Sequence, residues 1–519
     1  MKPMSQFHDM DSGKKWNALP CRSRSGERGA TVILFSFMVI TVMAPLIGFA
    51  IDGSICYWMK TKLSSSVDSA ALAAARSLSL ASDSGALQSQ GASTATEYFD
   101  ANFQPGTMGT SLPSVSQASP CTDNSNPCTT VVPTSAQVIT VTVQATVTVP
   151  LYFLRILGHS STNLSDTGQS VRRSANVMLV LDRSYSMQEA GACSTMVASA
   201  QNFVNNFVDG RDTLGLVTFQ VTANYDYALT TSFKSGSPSL NSTLNNLVCT
   251  GYTNTDEALN LAYTKLSGLN QPSALNVIVM FTDGQPDSFT ASSFTVKTSA
   301  DTRYNWQNPT SYVSVPASSC TGTIGAGVML DVDGAPDAQG YTGGIFPDTP
   351  TAINYATPNY PPIPTSVISA TNCLFTTSPY TTYSYAVRND VAYLPSQDAY
   401  GNSLTGYKTL AQCPYSPYNT GSFYRVDTPQ NIMYAATNAA WHMGNTIRNS
   451  GIYIYTIGLG GTPEEVIDSD FLMRLANDPT LPSSEYSSSQ PTGLFIYATA
   501  GSLGQAFAQI ASEILHLSQ

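Results

Sequence analysis

Asp182, Ser184 and Ser186 stand in an Asp-x-Ser-x-Ser array directly after the apolar run 177–181. One carboxylate and two hydroxyls on a tight turn make a cluster of hard oxygens, the donor type that suits Mg²⁺ or Mn²⁺. Alone, the array also reads as a capped helix start. Two further segments extend it. Residues 277–284 repeat the design, a buried apolar run ending in Asp283, and between the two runs Gly251-Tyr252-Thr253-Asn254-Thr255 forms a polar loop that leads into a helix. Two carboxylates and three hydroxyls, from Asp182, Ser184, Ser186, Thr253 and Asp283, are the candidate metal ligands.

Such distant residues meet only if the elements that carry them end at one edge. The two apolar runs read as central strands of a parallel sheet, buried on both faces. Open α/β sheets bind ligands at the carboxyl ends of their strands. Met196, Ala200, Phe203, Val204 and Phe207 mark an amphipathic helix after the first loop. Strands follow at 214–219 and 227–231, and a helix carrying Leu259, Ala262 and Leu266. Asp256 and Glu257 open that helix, where acids suit the helix dipole. A helix starts at Thr428-Pro429, with Thr as N-cap and Pro in the first turn. Strands at 452–457 and 495–498 and a helix from Ser502 burying Leu503, Phe507, Ile510 and Ile514 complete the alternation of a doubly wound sheet.

The three loops together resemble the von Willebrand factor A domain and its metal-ion-dependent adhesion site. The resemblance covers residues 176–519 apart from an insertion at 288–425, and implies a doubly wound, mostly parallel α/β fold. It also implies a role for Asp182, Ser184, Ser186, Thr253 and Asp283. In the family the Ser and Thr oxygens bind the ion directly, the aspartates act directly or through water, and one position stays open for a partner's carboxylate. The implied ion is Mg²⁺, with Mn²⁺ or Ca²⁺ as alternatives. Cys193 and Cys249 flank the first two loops, where a disulfide would brace the rim.

Catalytic signatures are lacking. The four histidines, His8, His159, His442 and His516, fit no His-Glu-x-x-His motif and pair with no evident nucleophile. There is no phosphate-binding Gly-x-x-x-x-Gly-Lys-Ser/Thr loop. Asp182 and Asp283 are the residues a metal hydrolase would use. Hydroxyl ligands, however, leave an ion electrophilic towards an incoming carboxylate, which suits ligand capture, so the expectation is a binding protein and not an enzyme.

Composition sets the compartment. Charged residues make up only 11% of the chain and the net charge is −11, which argues against nucleic-acid binding. Nine cysteines without paired Cys-x-x-Cys spacing, most of them after an apolar segment at 30–51, point to an oxidising compartment. That segment carries no charge and is long enough to cross a hydrocarbon core of about 30 Å. Lys2, Lys14, Lys15, Arg22, Arg24 and Arg28 precede it, which places the N-terminus in the cytoplasm and the bulk outside. Tyr57 and Trp58 follow it as interfacial aromatics. A helix over 55–80 comes next, with Val67, Ala70, Ala71, Ala74 and Leu78 at helical spacing.

Glu27-Arg28-Gly29-Ala30, Ile51-Asp52-Gly53, Lys62-Leu63 and the run 68–75 resemble the N-terminal segment of TadG-type proteins of the Tad (Flp) pilus-assembly system. Related pseudopilins carry Glu five residues after the cleaved Gly. Here that place is Thr31 counted from Gly26, or Leu34 counted from Gly29, so a permanent anchor is expected.

Residues 86–137 give weak periodicity, and Cys121 and Cys128 are close enough to close a loop. Residues 138–149 then alternate, with Val141, Val143, Ala145, Val147 and Val149 on one face, as in a half-buried antiparallel strand. The insertion 288–425 is too long for a structureless loop and is expected to be β and irregular, with Cys320, Cys373 and Cys413 inside it. It leaves the fold at the Asp283 loop, which places it to shape, cover or extend the binding face; a solvent-exposed elaboration far from the ion is the alternative.

The expected organisation is a basic tail (1–29), a transmembrane helix (30–51), a membrane-proximal helix (52–82), a β-rich module (83–170) and a von Willebrand factor A-like domain (171–519). The expected protein is a single-pass protein of the bacterial cytoplasmic membrane, with its bulk in the periplasm. Its metal-dependent A domain binds a partner's acidic side chain, with pilus-assembly components as the implied partners. Two other readings stay open: a surface adhesin for host or matrix proteins, and a pilin-like structural subunit with a vestigial metal site.

Overall fold

The computed structural model describes residues 27–78, 84–113, 125–135, 137–304, 312–315, 317, 323–324, 327–330, 344–347, 386–387, 391–414, 416–426, 428–460 and 467–518. The basic residues before Glu27, Cys121, Cys320 and Cys373 lie outside these. Two compact units emerge: residues 1–67, 99–128 and 144–167 in one, and residues 68–98, 129–143 and 168–519 in the other.

The N-terminal element runs as α1 (Glu27–Met38), a π-helical turn (Val39–Met43) and α2 (Ala44–Ser77). The stretch Thr31–Ser77 is long and apolar enough to cross a membrane, and its most apolar window is almost wholly exposed. Helix α2 runs without interruption through Asp52 and Gly53, where one glycine costs a helix only about 1 kcal/mol. In the second half of α2 every residue of the small apolar stripe, Val67, Ala70, Ala71 and Ala74, is buried.

Helix α3 (Ser84–Asn102) has no counterpart in the sequence reading. Its buried stripe is Leu87, Gly91, Ala95 and Phe99, spaced by four, and a Cβ on Gly91 would stand 2.6 Å from Val131 Cγ2. Close approach of the helix to the strand requires the glycine. Three strands, β1 (Cys128–Ser135), β2 (Val138–Pro150) and β3 (Ser161–Arg173), form a sheet in that order. The alternating face of β2 is buried as expected, from Val141 to Val149.

The second unit is built on a six-stranded sheet. Its elements are β4 (Ala175–Asp182), α4 (Tyr185–Glu189), α5 (Cys193–Asn205), β5 (Thr213–Phe219), β6 (Ala223–Thr230), α6 (Leu240–Leu244), α7 (Thr255–Ser267) and β7 (Leu275–Thr282). The inserted segment adds β8 (Ser288–Ala291), β9 (Phe294–Thr295), β10 (Asp301–Tyr304), β11 (Tyr312–Val315), β12 (Thr323–Ile324), β13 (Gly327–Leu330), β14 (Gly344–Pro347) and β15 (Ala386–Val387). Helix α8 (Pro429–Asn449), β16 (Tyr453–Leu459), α9 (Ser469–Ala476), β17 (Phe495–Ala498) and α10 (Leu503–Leu517) complete it.

The main sheet has the order β17-β16-β7-β4-β5-β6, parallel except for β6. Period-two alternation splits each central strand between two cores. Val177, Leu179 and Leu181, with Val277, Val279 and Phe281, pack against α5 and α10. Met178, Val180, Ile278 and Met280 pack against α7, α8 and α9. With β5 on one side of β4 and β7 on the other, the chain changes direction at β4. The carboxyl end of β4 is therefore the topological switch point, where such sheets open a crevice.

Among the described residues, the regular elements of the insertion are short strands, with irregular chain over 391–414 and 416–425. Strands β8, β13, β14 and β15 make one antiparallel sheet. Phe289, Phe294, Val296, Met329, Val391 and Leu404 pack on Ile432, Ala435, Ala436 and Ala439 of α8.

Candidate metal centre

Strand β4 delivers Asp182, and β7 lies beside it with Leu181 opposite Phe281. Neighbouring strands stand about 4.8 Å apart, so Asp182 and Asp283 leave the sheet side by side. Asp182 is fully buried and Asp283 nearly so. Thr282 Oγ1 donates to Asp182 Oδ2 at 2.5 Å, and the Ser184 N–H to Asp182 Oδ1 at 2.8 Å. Ser184 Oγ and Ser186 Oγ are 2.8 Å apart, and Ser186 Oγ donates to Asp283 Oδ1 at 2.9 Å. A chain of polar groups thus links the two acids through both serines.

The second loop is strapped to the first. The Thr250 N–H donates to the Arg183 carbonyl at 2.7 Å, and the Tyr185 N–H to the Gly251 carbonyl at 2.8 Å. Gly251 has φ +95°, a left-handed conformation costly for other residues, and a Cβ there would stand 2.7 Å from Gln220 Oε1. Cys193 and Cys249 form a disulfide. The brace expected from sequence is therefore present. Hydrogen bonds join four of the five predicted residues, Asp182, Ser184, Ser186 and Asp283, and Thr253 is buried on the loop strapped to them.

Sequence reasoning missed the supports. Asp287 Oδ1 accepts the Thr253 N–H at 2.6 Å and so fixes the backbone of the proposed hydroxyl ligand. Its only sequence signal is its place four residues after Asp283. Glu257 is more than a dipole partner. It accepts from the Ala223 N–H at 3.1 Å, from Asn254 Nδ2 at 2.9 Å and from Thr290 Oγ1 at 2.8 Å. Through Thr290 of β8 the inserted segment buttresses the Thr253 loop. Val328 of β13 packs with Val221 and Tyr252 at the same rim. Of the alternatives left open, contact with the second loop is what Thr290 and Val328 of the insertion make.

The donor set fits a divalent ion. The strongest influences on Asp182 are burial and the donors Thr282 and Ser184, none of them a cation. Burial pushes its carboxyl up to about 6. A positive charge among these oxygens removes that penalty. Among the described residues no group of three or more His, Cys, Asp or Glu is placed to hold a metal ion, so an ion here would take its remaining protein donors from hydroxyls.

A pH dependence follows. An unfolded Asp loses its proton near pH 4, whereas folded Asp182 keeps it to about 6. Between these values the folded state holds the extra proton, so the stability present at pH 4 is lost as pH rises through about 6. In EDTA, urea unfolding should give a loss on the order of 2–3 kcal/mol from this group. Asp182→Asn should flatten the curve, and an equally steep variant curve would exclude Asp182 as its source.

Asp256 is the second surprise. It is fully buried at the start of α7, and its carboxyl is pushed well up, first by burial and then by Asp398 and Glu257. Asp398 accepts N–H groups from Tyr400 at 2.8 Å and Asn402 at 2.7 Å, and the Asn402 side chain at 2.7 Å. Two facing carboxyls do not both ionise readily, so Asp256 is the protonated member. Asp256→Asn replaces that proton with an amide donor. It should raise stability near neutral pH by about 1–3 kcal/mol and leave it unchanged at pH 4. Thermal melts at the two pH values check this, and a loss at neutral pH would refute the assignment.

Residues 177–285 match the family profile of the von Willebrand factor type A domain. The chain carries a von Willebrand factor type A domain. Residues 29–77 match the Flp pilus-assembly TadE/G-like profile, so the A domain follows a Tad-type N-terminal segment. A comparison with curated proteins gives no match. Among solved structures, the chain is similar to the vWF domain of the type V pili tip protein Mfa5 from Porphyromonas gingivalis. Identity there is 17%, with 67% of this chain and 98% of the other covered, at a TM-score of 0.35. The PilB minor pilin from Streptococcus sanguinis is 13% identical over 79% of each chain, with TM-score 0.34. Proximal thread matrix protein 1 from the mussel byssus, with a zinc-occupied MIDAS motif, is 11% identical over 66% of this chain and 46% of its own, with TM-score 0.30.

Proposed function

We propose that the protein is a membrane-anchored, extracytoplasmic binding module of a pilus-assembly or secretion complex. Its A domain captures an acidic side chain of a partner protein through a divalent ion, Mg²⁺ in the first instance. Asp182, Ser184, Ser186, Thr253 and Asp283 hold the ion. When bound, it supplies an electrophilic position for the partner's carboxylate. The reading is carried by one observation: two buried carboxylates from adjacent strand ends, joined through Ser184 and Ser186. Hydroxyl ligands and the absence of a histidine in these loops favour binding over catalysis. The Tad-type segment favours a pilus-assembly setting, and the apolar helix favours residence in the cytoplasmic membrane with the A domain outside.

Affinity capture tests this. The detergent-solubilised full chain is presented to an envelope extract of its own cells, in Mg²⁺ and in EDTA. A partner retained only in Mg²⁺, and lost with Asp283→Ala, supports the reading. Capture that is indifferent to EDTA removes it.

A further inference from the structure

The first unit holds an apolar tip that its own packing does not explain. Between β2 and β3 the chain turns through a short 3₁₀ helix, Leu154–Leu157, closed by Gly158 at φ +92°. Tyr152, Phe153, Ile156 and Leu157 are 54%, 43%, 85% and 65% exposed. Four large side chains in six residues thus keep much of their surface exposed, Ile156 and Leu157 most of all, with only Arg155 as a charge among them.

The position of this tip along the helix is fixed at two points. Asp52, the first charged residue after the apolar run, is buried, and its carboxylate accepts three backbone N–H groups of the tip. These come from Tyr152 at 3.0 Å, Phe153 at 3.0 Å and Leu154 at 2.8 Å. Further along, Lys60 Nζ lies 3.0 Å from Asp166 of β3. Strands β2 and β3 therefore run beside the helix with their connecting tip at the apolar end. The tip also reaches below Asp52. A Cβ on Gly48 would stand 2.5 Å from Phe153 Cβ, so Phe153 lies against Gly48. Four residues of helix span about 6 Å, which sets Phe153 that far inside the level where charge begins.

We infer that the 152–157 tip inserts into the lipid leaflet beside the helix and forms a second membrane contact of this chain. The inference rests on the helix spanning a membrane, as proposed above. Its occupant is phospholipid. Leu46, Ile47 and Phe49, the helix residues around Gly48, are exposed apolar side chains at the same level. Backbone N–H groups in that layer lose water as a partner, and each left unsatisfied costs several kcal/mol. Asp52 removes that penalty for three of them. Arg155 has a stem that lies in the apolar layer and a head that reaches the lipid phosphates. Asp52 is thus a positioning residue for the tip.

The test uses the full chain in vesicles of phosphatidylethanolamine and phosphatidylglycerol. A benzophenone amino acid replaces Ile156, Ile47 in the span, or Thr167 in the strand that leaves the tip. Irradiation should give lipid adducts at 156 and 47, about tenfold above those at 167. Asp52→Ala should reduce the adduct at 156 without changing that at 47. Adducts at 47 but none at 156, or adducts from 156 to a second copy of the chain, would overturn the inference while the anchor stands. Absence at both positions would remove the anchor and the inference together.

Discussion

Saturating Mg²⁺ is expected to raise the unfolding temperature of the EDTA-treated protein by about 5 °C, and Asp182→Asn is expected to abolish that rise. A ligand that binds only the folded state stabilises it by about 2.7 kcal/mol at a hundredfold excess over its dissociation constant. Asn is the informative replacement. It keeps an oxygen for the Ser184 N–H, which reaches Asp182 Oδ1 at 2.8 Å, and presents an amide donor where Thr282 Oγ1 reaches Oδ2 at 2.5 Å, so the Thr282 hydroxyl turns to accept. It removes the charge with little change of shape. In EDTA the variant should melt no lower than the wild type at neutral pH, because a buried carboxyl pushed up to about 6 is a burden there without an ion. The Mg²⁺ response of the wild type should also shrink at pH 5, where the proton occupies Asp182 and competes with the metal. Differential scanning calorimetry at pH 5 and 7.5, with and without Mg²⁺, gives all four values. An undiminished response in Asp182→Asn would show that the ion binds elsewhere.

The parts legible in the sequence are those in which one local pattern carries the whole instruction. The strands β4 and β7 declared themselves because uninterrupted apolar runs fit only burial on both faces, and each ended in an acid. Helix α10 declared itself through Leu503, Phe507, Ile510 and Ile514, all buried at helical spacing. Helix α3 did not, because its stripe reads Leu87, Gly91, Ala95, Phe99 in a background of Ser, Thr and Gln. The glycine looks like a breaker until Val131 is seen to fill its place. The supports of the site were hidden for a different reason. Asp287 acts on the backbone of Thr253, and Asp256 meets Asp398, a residue of the insertion. Neither pairing leaves a periodic trace, since each depends on the sheet bringing distant loops to one rim. The inserted strands pair over long separations, as Gly327 with Ala291 does, and are only two to four residues long, too short for any periodicity.

The disulfide between Cys193 and Cys249 is the site's other large lever. It closes a loop of 56 residues, and constraining such a loop in the unfolded chain is worth about 4 kcal/mol on the chain-entropy account. Replacing both cysteines with serine should therefore lower the denaturation midpoint strongly. Cys249 is buried against the same apolar core as Met187 and Met196, so serine there adds a desolvation cost in the same direction. The functional consequence is more specific. The bond joins the start of α5, just after the Ser184 and Ser186 turn, to the residue ahead of Gly251 and Thr253. Without it, the Thr250–Arg183 and Tyr185–Gly251 backbone hydrogen bonds and the bond from the Arg183 side chain to the Val248 carbonyl are among what remains to hold the two candidate loops together. Oxygens that are no longer held at ion-binding separation must be ordered by the ion itself, and that cost appears as weaker binding. The double variant should thus show a Mg²⁺ affinity about tenfold lower, on top of its lower stability. Titration calorimetry on the folded variant at low temperature separates the two effects. Unchanged affinity with reduced stability would mean that the bond holds the domain together but leaves the metal loops in place without it.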